Sequence, residues 1–312
     1  MISLIFGKTK PINFIIVLTF LFFFYWFVHF QLFDRGYGTG ELWHKALILG
    51  VLFFSIFLVN FIVKRNKITR NNSFSILFYA MLAVVFPETL LDSNAILCSF
   101  FLLLATRRII SMRSSKDTKF KIFDATIWVL VSSLFYDWAI LYLILVFAAI
   151  FFYQANDIRN WLVPFAGIFT VYMIAKSILI LANQKQFLVT HYQFNFSVDV
   201  AYFTYWGHST KLILFAVITF LTGLLAFVKL GKAGFGRVVT MRLIAFSFVI
   251  GLLVNILKLS DNVYPVIITF LPAVILMTKY IESIRRARIR EILLIASIII
   301  PFAVLLTGMA IQ

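Results

Sequence analysis

Carboxylates, histidines and cations gather in a few short stretches of an otherwise apolar chain, and chemistry would have to occur there. The first stretch is Phe33-Asp34-Arg35-Gly36-Tyr37-Gly38-Thr39-Gly40-Glu41-Leu42-Trp43-His44-Lys45. Asp34 or Glu41 has the right chemistry for a general base, while Arg35 and Lys45, with His44 beside them, could meet a phosphate. The same string also reads as a glycine turn with interfacial Tyr37 and Trp43. Its GYGTG lacks the spacing and strand context of a nucleotide loop.

Two further stretches carry acids at turns. These are Phe86-Pro87-Glu88-Thr89-Leu90-Leu91-Asp92-Ser93-Asn94 and Phe135-Tyr136-Asp137-Trp138. If the helices they join are short, Glu88, Asp92 and Asp137 become sunken carboxylates lining a cavity. In the plainer reading Pro87, Asp92 and Ser93 turn the chain and cap the next helix. Lys176 stands well inside an apolar run, where a lysine either snorkels to headgroups or binds the phosphate of a lipid carrier. Lys211 is a further phosphate-binding candidate.

Apolar helices must position these residues. Hydrophobic residues make up 62% of the chain and its mean hydropathy is +1.01, far beyond a soluble domain. Eleven apolar segments are expected, at 11–32, 44–63, 73–86, 91–106, 122–136, 138–153, 161–182, 210–229, 239–257, 263–278 and 291–310. The class is therefore all-α, a polytopic transmembrane bundle forming one domain over residues 1–312. Helices and short hairpins fill 1–182, an outer loop 183–209, and C-terminal helices 210–312. The aromatic first segment, with no small-residue cleavage site after it, reads as a retained helix rather than a signal peptide.

Basic residues orient this threading. With the N-terminus inside, 22 of the 28 Lys and Arg fall in inner connections, leaving Arg35, Lys45, Lys176, Lys185, Lys211 and Lys258 for the outer half. An N-in, C-out topology follows. Seven of the twelve acids and all four histidines, His29, His44, His191 and His208, then lie outside. The net charge of +16 is divided among short loops and forms no continuous nucleic-acid surface, so nucleic acid is not expected as a partner. Membrane lipids are.

Helix length sharpens the outer face. The segments ending at Pro87, Asp92 and Asp137 are shorter than the roughly 20 residues that cross a bilayer, so their tips should be recessed. The outer loop alternates Phe194, Phe196, Val198 and Val200 with Gln193, Asn195, Ser197 and Asp199, suiting either an interfacial segment or a lid. No HExxH, Walker A or GxSxG string occurs, no Cys/His cluster suggests a metal, and the single Cys98 excludes an intramolecular disulfide.

Two resemblances bear on function. The opening Phe6-Gly7-Lys8-Thr9-Lys10-Pro11-Ile12-Asn13-Phe14 before an aromatic helix, with the Phe- and Ile-rich composition, resembles a family of Bacteroidota inner-membrane proteins of similar length. That implies a bacterial inner membrane without an assigned activity. Over residues 11–182, Leu91-Asp92-Ser93-Asn94-Ala95 leading to Ala105-Thr106-Arg107-Arg108, and Lys121-Ile122-Phe123-Asp124 through Ser132-Ser133-Leu134-Phe135-Tyr136, resemble the GT-C class of polyprenol-phosphate-dependent glycosyltransferases. In that class an acid of the first outer loop is the base or a ligand to a divalent cation, which would fall on Asp34 or Glu41. Arg35, Lys176 or Lys211 would then hold the phosphate of a polyprenyl-phosphate sugar. The first outer loop here is much shorter than in that class. The alternative is a noncatalytic scaffold or accessory subunit of an envelope secretion or glycan-assembly complex, with membrane proteins as partners.

Overall fold

A computed structural model describes residues 2–114, 116–194, 206–230, 234–258 and 265–311, with side chains excepted at 206–208 and 308–311. Among them the chain is wholly helical, at 83% helix with no strand. The helices are α1 (Ile2–Phe6), α2 (Pro11–Phe27, continued by a π turn over Val28–Leu32), α3 (Thr39–Arg65), α4 (Phe74–Val85), α5 (Glu88–Leu91), α6 (Ser93–Ser111) and α7 (Thr118–Ser133). A 3-10 turn over Asp137–Tyr142 leads into α8 (Leu143–Gln154), followed by α9 (Ile158–Leu181) and α10 (Phe187–His191). Then come α11 (Trp206–Val228), α12 (Phe235–Leu257), a 3-10 turn over Pro265–Thr269, α13 (Phe270–Ser283) and α14 (Ala287–Ile311).

Nine of these stretches are long and apolar enough to cross a membrane, against the eleven expected from the sequence. The two that fall short are α4, with 12 residues, and α7, with 16. α6 behaves differently from the expectation of a short segment ending at Arg107. It carries Arg107 and Arg108 within its last turns and reaches Ser111, giving 19 residues. Long basic side chains at a helix end can extend toward headgroups without ending the helix.

The short α4 has a physical reason to be short. Every residue from Phe74 to Val84 is buried, so protein rather than lipid surrounds it and its length need not match the bilayer. α3, α13 and α14 pack around it. The opposite extreme is α9, which buries Asn160, Pro164 and Gly167 and presents Phe165, Phe169, Met173 and Ile178 outward. Its contact with α7 is close because Gly167 lies against Thr126, where a Cβ would stand 2.8 Å from Thr126 Cγ2.

Long-range hydrogen bonds sort the connections into two ends. At one, the Ser73 N–H donates to the Phe6 carbonyl, Asn13 Nδ2 donates to Ser73 Oγ, and Glu282 accepts from the Arg70 N–H and from Asn72 Nδ2. Lys229 joins the same end through Ser283. The other end holds the turns around Asp34, Glu88, Asp92 and Asp137. Most of the lysines and arginines lie at the first end, called here the basic end.

Candidate functional site

The expected first loop is shorter than its sequence suggested. Only residues 33–38 connect the π turn to α3, so Glu41, His44 and Lys45 lie on the first turns of a helix. Glycines at 36, 38 and 40 yielded the reading of a longer loop, but the Glu41 carboxylate accepts from the Gly38 N–H at 3.3 Å and starts the helix early. Asp34 and Arg35 are exposed, with Asp34 in the left-handed region at φ 42°. The Arg35 N–H donates to the His29 carbonyl. Glu41 and His44 are also exposed.

His29, placed on the outer face by the sequence, was not among the expected site residues. It sits in the π turn, fully buried, with its Nδ1–H donating to the Tyr25 carbonyl at 3.0 Å and its ring 5.6 Å from that of Tyr37. Its buried Nε2 has no hydrogen-bond partner among the described residues. Burial raises the pKa of the Tyr37 hydroxyl, an effect partly opposed by the Arg35 charge. Beside it lies a small apolar pocket of about 380 Å³ between Trp26, Phe30, Leu42 and Trp43.

The acids of the two tips are engaged. Asp92 accepts from the N–H groups of Asn94 and Ala95 at 2.9 and 3.2 Å, capping α6. Its second carboxylate oxygen accepts from the Tyr136 hydroxyl, which draws the two expected tips together. Glu88 lies 3.4 Å from Lys211 Nζ, and Asp137 lies 3.0 Å from Lys258 Nζ. The latter is an ion pair with a nearly buried carboxylate.

Lys45, offered by the sequence as a phosphate partner, instead donates to the Leu91 carbonyl at 3.0 Å and to Ser93 Oγ at 3.1 Å. It thereby fastens α3 to the turn before α6. Ser133, at the end of α7, meets both the Tyr192 hydroxyl at 2.8 Å and the imidazole of His191, whose Nε2–H donates to its carbonyl. The Tyr192 pKa is raised chiefly by burial and further by the Asp137 charge. Of the expected outer loop, the stretch 195–205 lies outside the described residues, and with it most of the alternating pattern.

Lys176 stands apart from this cluster. It is exposed on the outward face of α9, with its ammonium 5.5 Å from the ring centroid of Tyr172. The structure therefore brings Glu88, Asp92, Asp137 and Lys211 into one polar layer with Lys45, Tyr136 and Lys258. Arg35 and Asp34 remain on their own loop, Glu41 and His44 on the start of α3. Lys258 and Tyr136 were not among the expected site residues, since no local spacing announces a partner 44 residues away in the case of Tyr136 and Asp92.

A divalent cation of the kind implied by the GT-C resemblance needs several oxygen or nitrogen ligands together. Among the described residues, no three of His, Cys, Asp and Glu stand close enough together to hold such an ion by themselves. Searches against family models, curated proteins and solved structures find no match to this chain.

Proposed function

We propose that this multi-pass helical protein, with nine apolar helices suited to a membrane among its described residues, is a noncatalytic scaffold or accessory subunit in a bacterial inner membrane, with its basic end cytoplasmic and its acidic turns outside, serving an envelope secretion or glycan-assembly complex. The observation that carries this reading is the commitment of Glu88, Asp92 and Asp137 to lysines, a tyrosine and a helix cap. Carboxylates held in this way fix the geometry of the helices. A general base must instead have a lone pair available to the substrate proton, so the exposed Asp34 and Glu41 are the acids to test.

Complementation tests it. In cells deleted for this chain, the Asp34→Asn, Glu41→Gln double variant should restore the wild-type phenotype at normal abundance. Failure at normal abundance would turn the assignment toward an enzyme.

One arrangement favours that second reading, a GT-C-like glycosyltransferase. π turns recur at functional sites, and this one carries a buried imidazole whose Nε2 has no partner among the described residues, directly before Asp34, Arg35 and Tyr37. In this reading Asp34 or Glu41 takes the acceptor hydroxyl proton, and Arg35 or Lys176 meets the phosphate of a polyprenyl-phosphate sugar. Transfer by purified protein that is lost in Asp34→Asn would establish it.

A further inference from the structure

The basic end contains a cleft of about 580 Å³ whose ionic lining is entirely cationic. Arg65 comes from the end of α3, Arg107 and Arg108 from the end of α6, Arg113 from the following turn, Lys121 from α7 and Arg237 from α12. Two of these charges are satisfied internally. Arg108 pairs with Asp124 at 2.9 Å, and Lys121 donates to the Ser111 and Ser114 carbonyls. Among the described residues, no carboxylate pairs with Arg65, Arg107, Arg113 or Arg237.

Four guanidinium groups from four parts of the chain, three of them exposed, line one cleft, and an anion between them would relieve the repulsion that water only screens. The packing nevertheless makes room for that convergence. A Cβ at Gly236 would stand 2.6 Å from Arg113 Nε, so the glycine lets Arg113 lie across the start of α12. The N-terminus of that 23-residue helix adds partial positive charge at the same place.

The cleft continues toward the membrane. A second hollow of about 620 Å³, lined by Phe54, Phe57, Leu58 and Asn60, shares Phe61, Arg65 and Arg107 with it. At the junction the Arg107 guanidinium lies 4.7 Å from the Phe61 ring centroid, which holds its charge where polar and apolar walls meet. Phe54, Phe57 and Phe61 are each about half exposed along α3. A ligand filling both parts has an anionic head and a hydrocarbon tail.

We propose that this composite groove is a binding site for a phosphate-headed lipid, with its phosphate between Arg65, Arg107, Arg113 and Arg237 and one chain along Phe54, Phe57 and Phe61. Guanidinium forks match phosphate oxygens in pairs, and the aromatic wall accepts an acyl or prenyl chain. The site lies at the opposite end of the bundle from Asp34 and Asp92 and is independent of whether the protein is a scaffold or an enzyme.

Native mass spectrometry of the full chain released from phosphatidylcholine nanodiscs containing a minority of phosphatidylglycerol tests the assignment. One phosphatidylglycerol should remain per chain, and the Arg107→Gln, Arg113→Gln variant should lose at least about tenfold in retention. The Arg285→Gln, Arg288→Gln variant removes the same charge at exposed positions of the same end and should retain lipid normally. Equal losses in the two variants would reduce the effect to general headgroup attraction and overturn the site. Soluble tripolyphosphate in pure phosphatidylcholine discs separates the head from the tail. Asn60→Trp, which fills the apolar part, should lower phosphatidylglycerol retention while leaving tripolyphosphate binding intact. Tripolyphosphate binding with normal lipid retention in Asn60→Trp would overturn the lipid assignment. Unchanged melting in pure phosphatidylcholine discs verifies that each variant is folded.

Discussion

A carboxylate withdrawn from water stays ionised only where something replaces its hydration, and the partners found for Glu88, Asp92 and Asp137 show three ways of doing so. Glu88 has an ammonium, Asp92 has backbone amides and a hydroxyl, and Asp137 has Lys258. The Asp137 side chain is only 6% exposed, so removing its partner leaves charge uncompensated. Lys258→Met should therefore destabilise the protein by about 3 kcal/mol, near the low end for a buried pair because Lys258 keeps some contact with solvent. Adding Asp137→Leu should recover much of the loss, since a pair replaced by apolar side chains costs little. Thermal melts of the two variants in the same detergent check this, and equal instability of single and double variants would show that the pair contributes nothing specific.

At the scale of elements, burial rather than propensity decides which helices are short. α4 is enclosed and needs about 18 Å of rise for its 12 residues, whereas the lipid-facing α9 has 24 residues. Helices in lipid gain little from the hydrophobic effect on meeting one another, so their close contacts depend on small residues. Gly167 is such a contact. Gly167→Ala should place a methyl group against Thr126 and cost about 1–3 kcal/mol, and Thr126→Ala in the same chain should relieve much of it. Melting of the single and double variants measures the rescue, and an unaffected Gly167→Ala protein would mean that α9 shifts freely along α7.

The whole molecule has two chemically different ends. One carries turns with arginine and lysine, the other carries acids of which Glu88, Asp92 and Asp137 are bound to lysines, tyrosine and backbone. If the basic end is cytoplasmic, single cysteines at 44 and 185 should react with a membrane-impermeant maleimide applied outside intact cells. Those at 67 and 288 should react only after permeabilisation. All four native residues are exposed, and Cys98→Ala removes the one native thiol, which is buried. Labelling of position 67 from outside would reverse the orientation.

By itself, the sequence determined the class. Sixty-two per cent hydrophobic residues in long runs leave no fold but a membrane bundle, because buried apolar helices satisfy their own backbone groups. It also marked the turns at Pro87, Asp92 and Asp137, and the segregation of basic residues into alternate connections. What it left undecided was whether those acids are free or paired. Lys211 is 123 residues from Glu88 along the chain, and only the packing of α11 against the turn before α6 brings them to 3.4 Å. The length of α6 was misread for a related reason, since arginines that end a segment by hydropathy can stand within a helix when their side chains reach a polar cleft. That cleft, where Arg65, Arg107, Arg113 and Arg237 converge, exists only in the tertiary structure: charges that look like scattered retention signals along a chain become a site when three long helices end together.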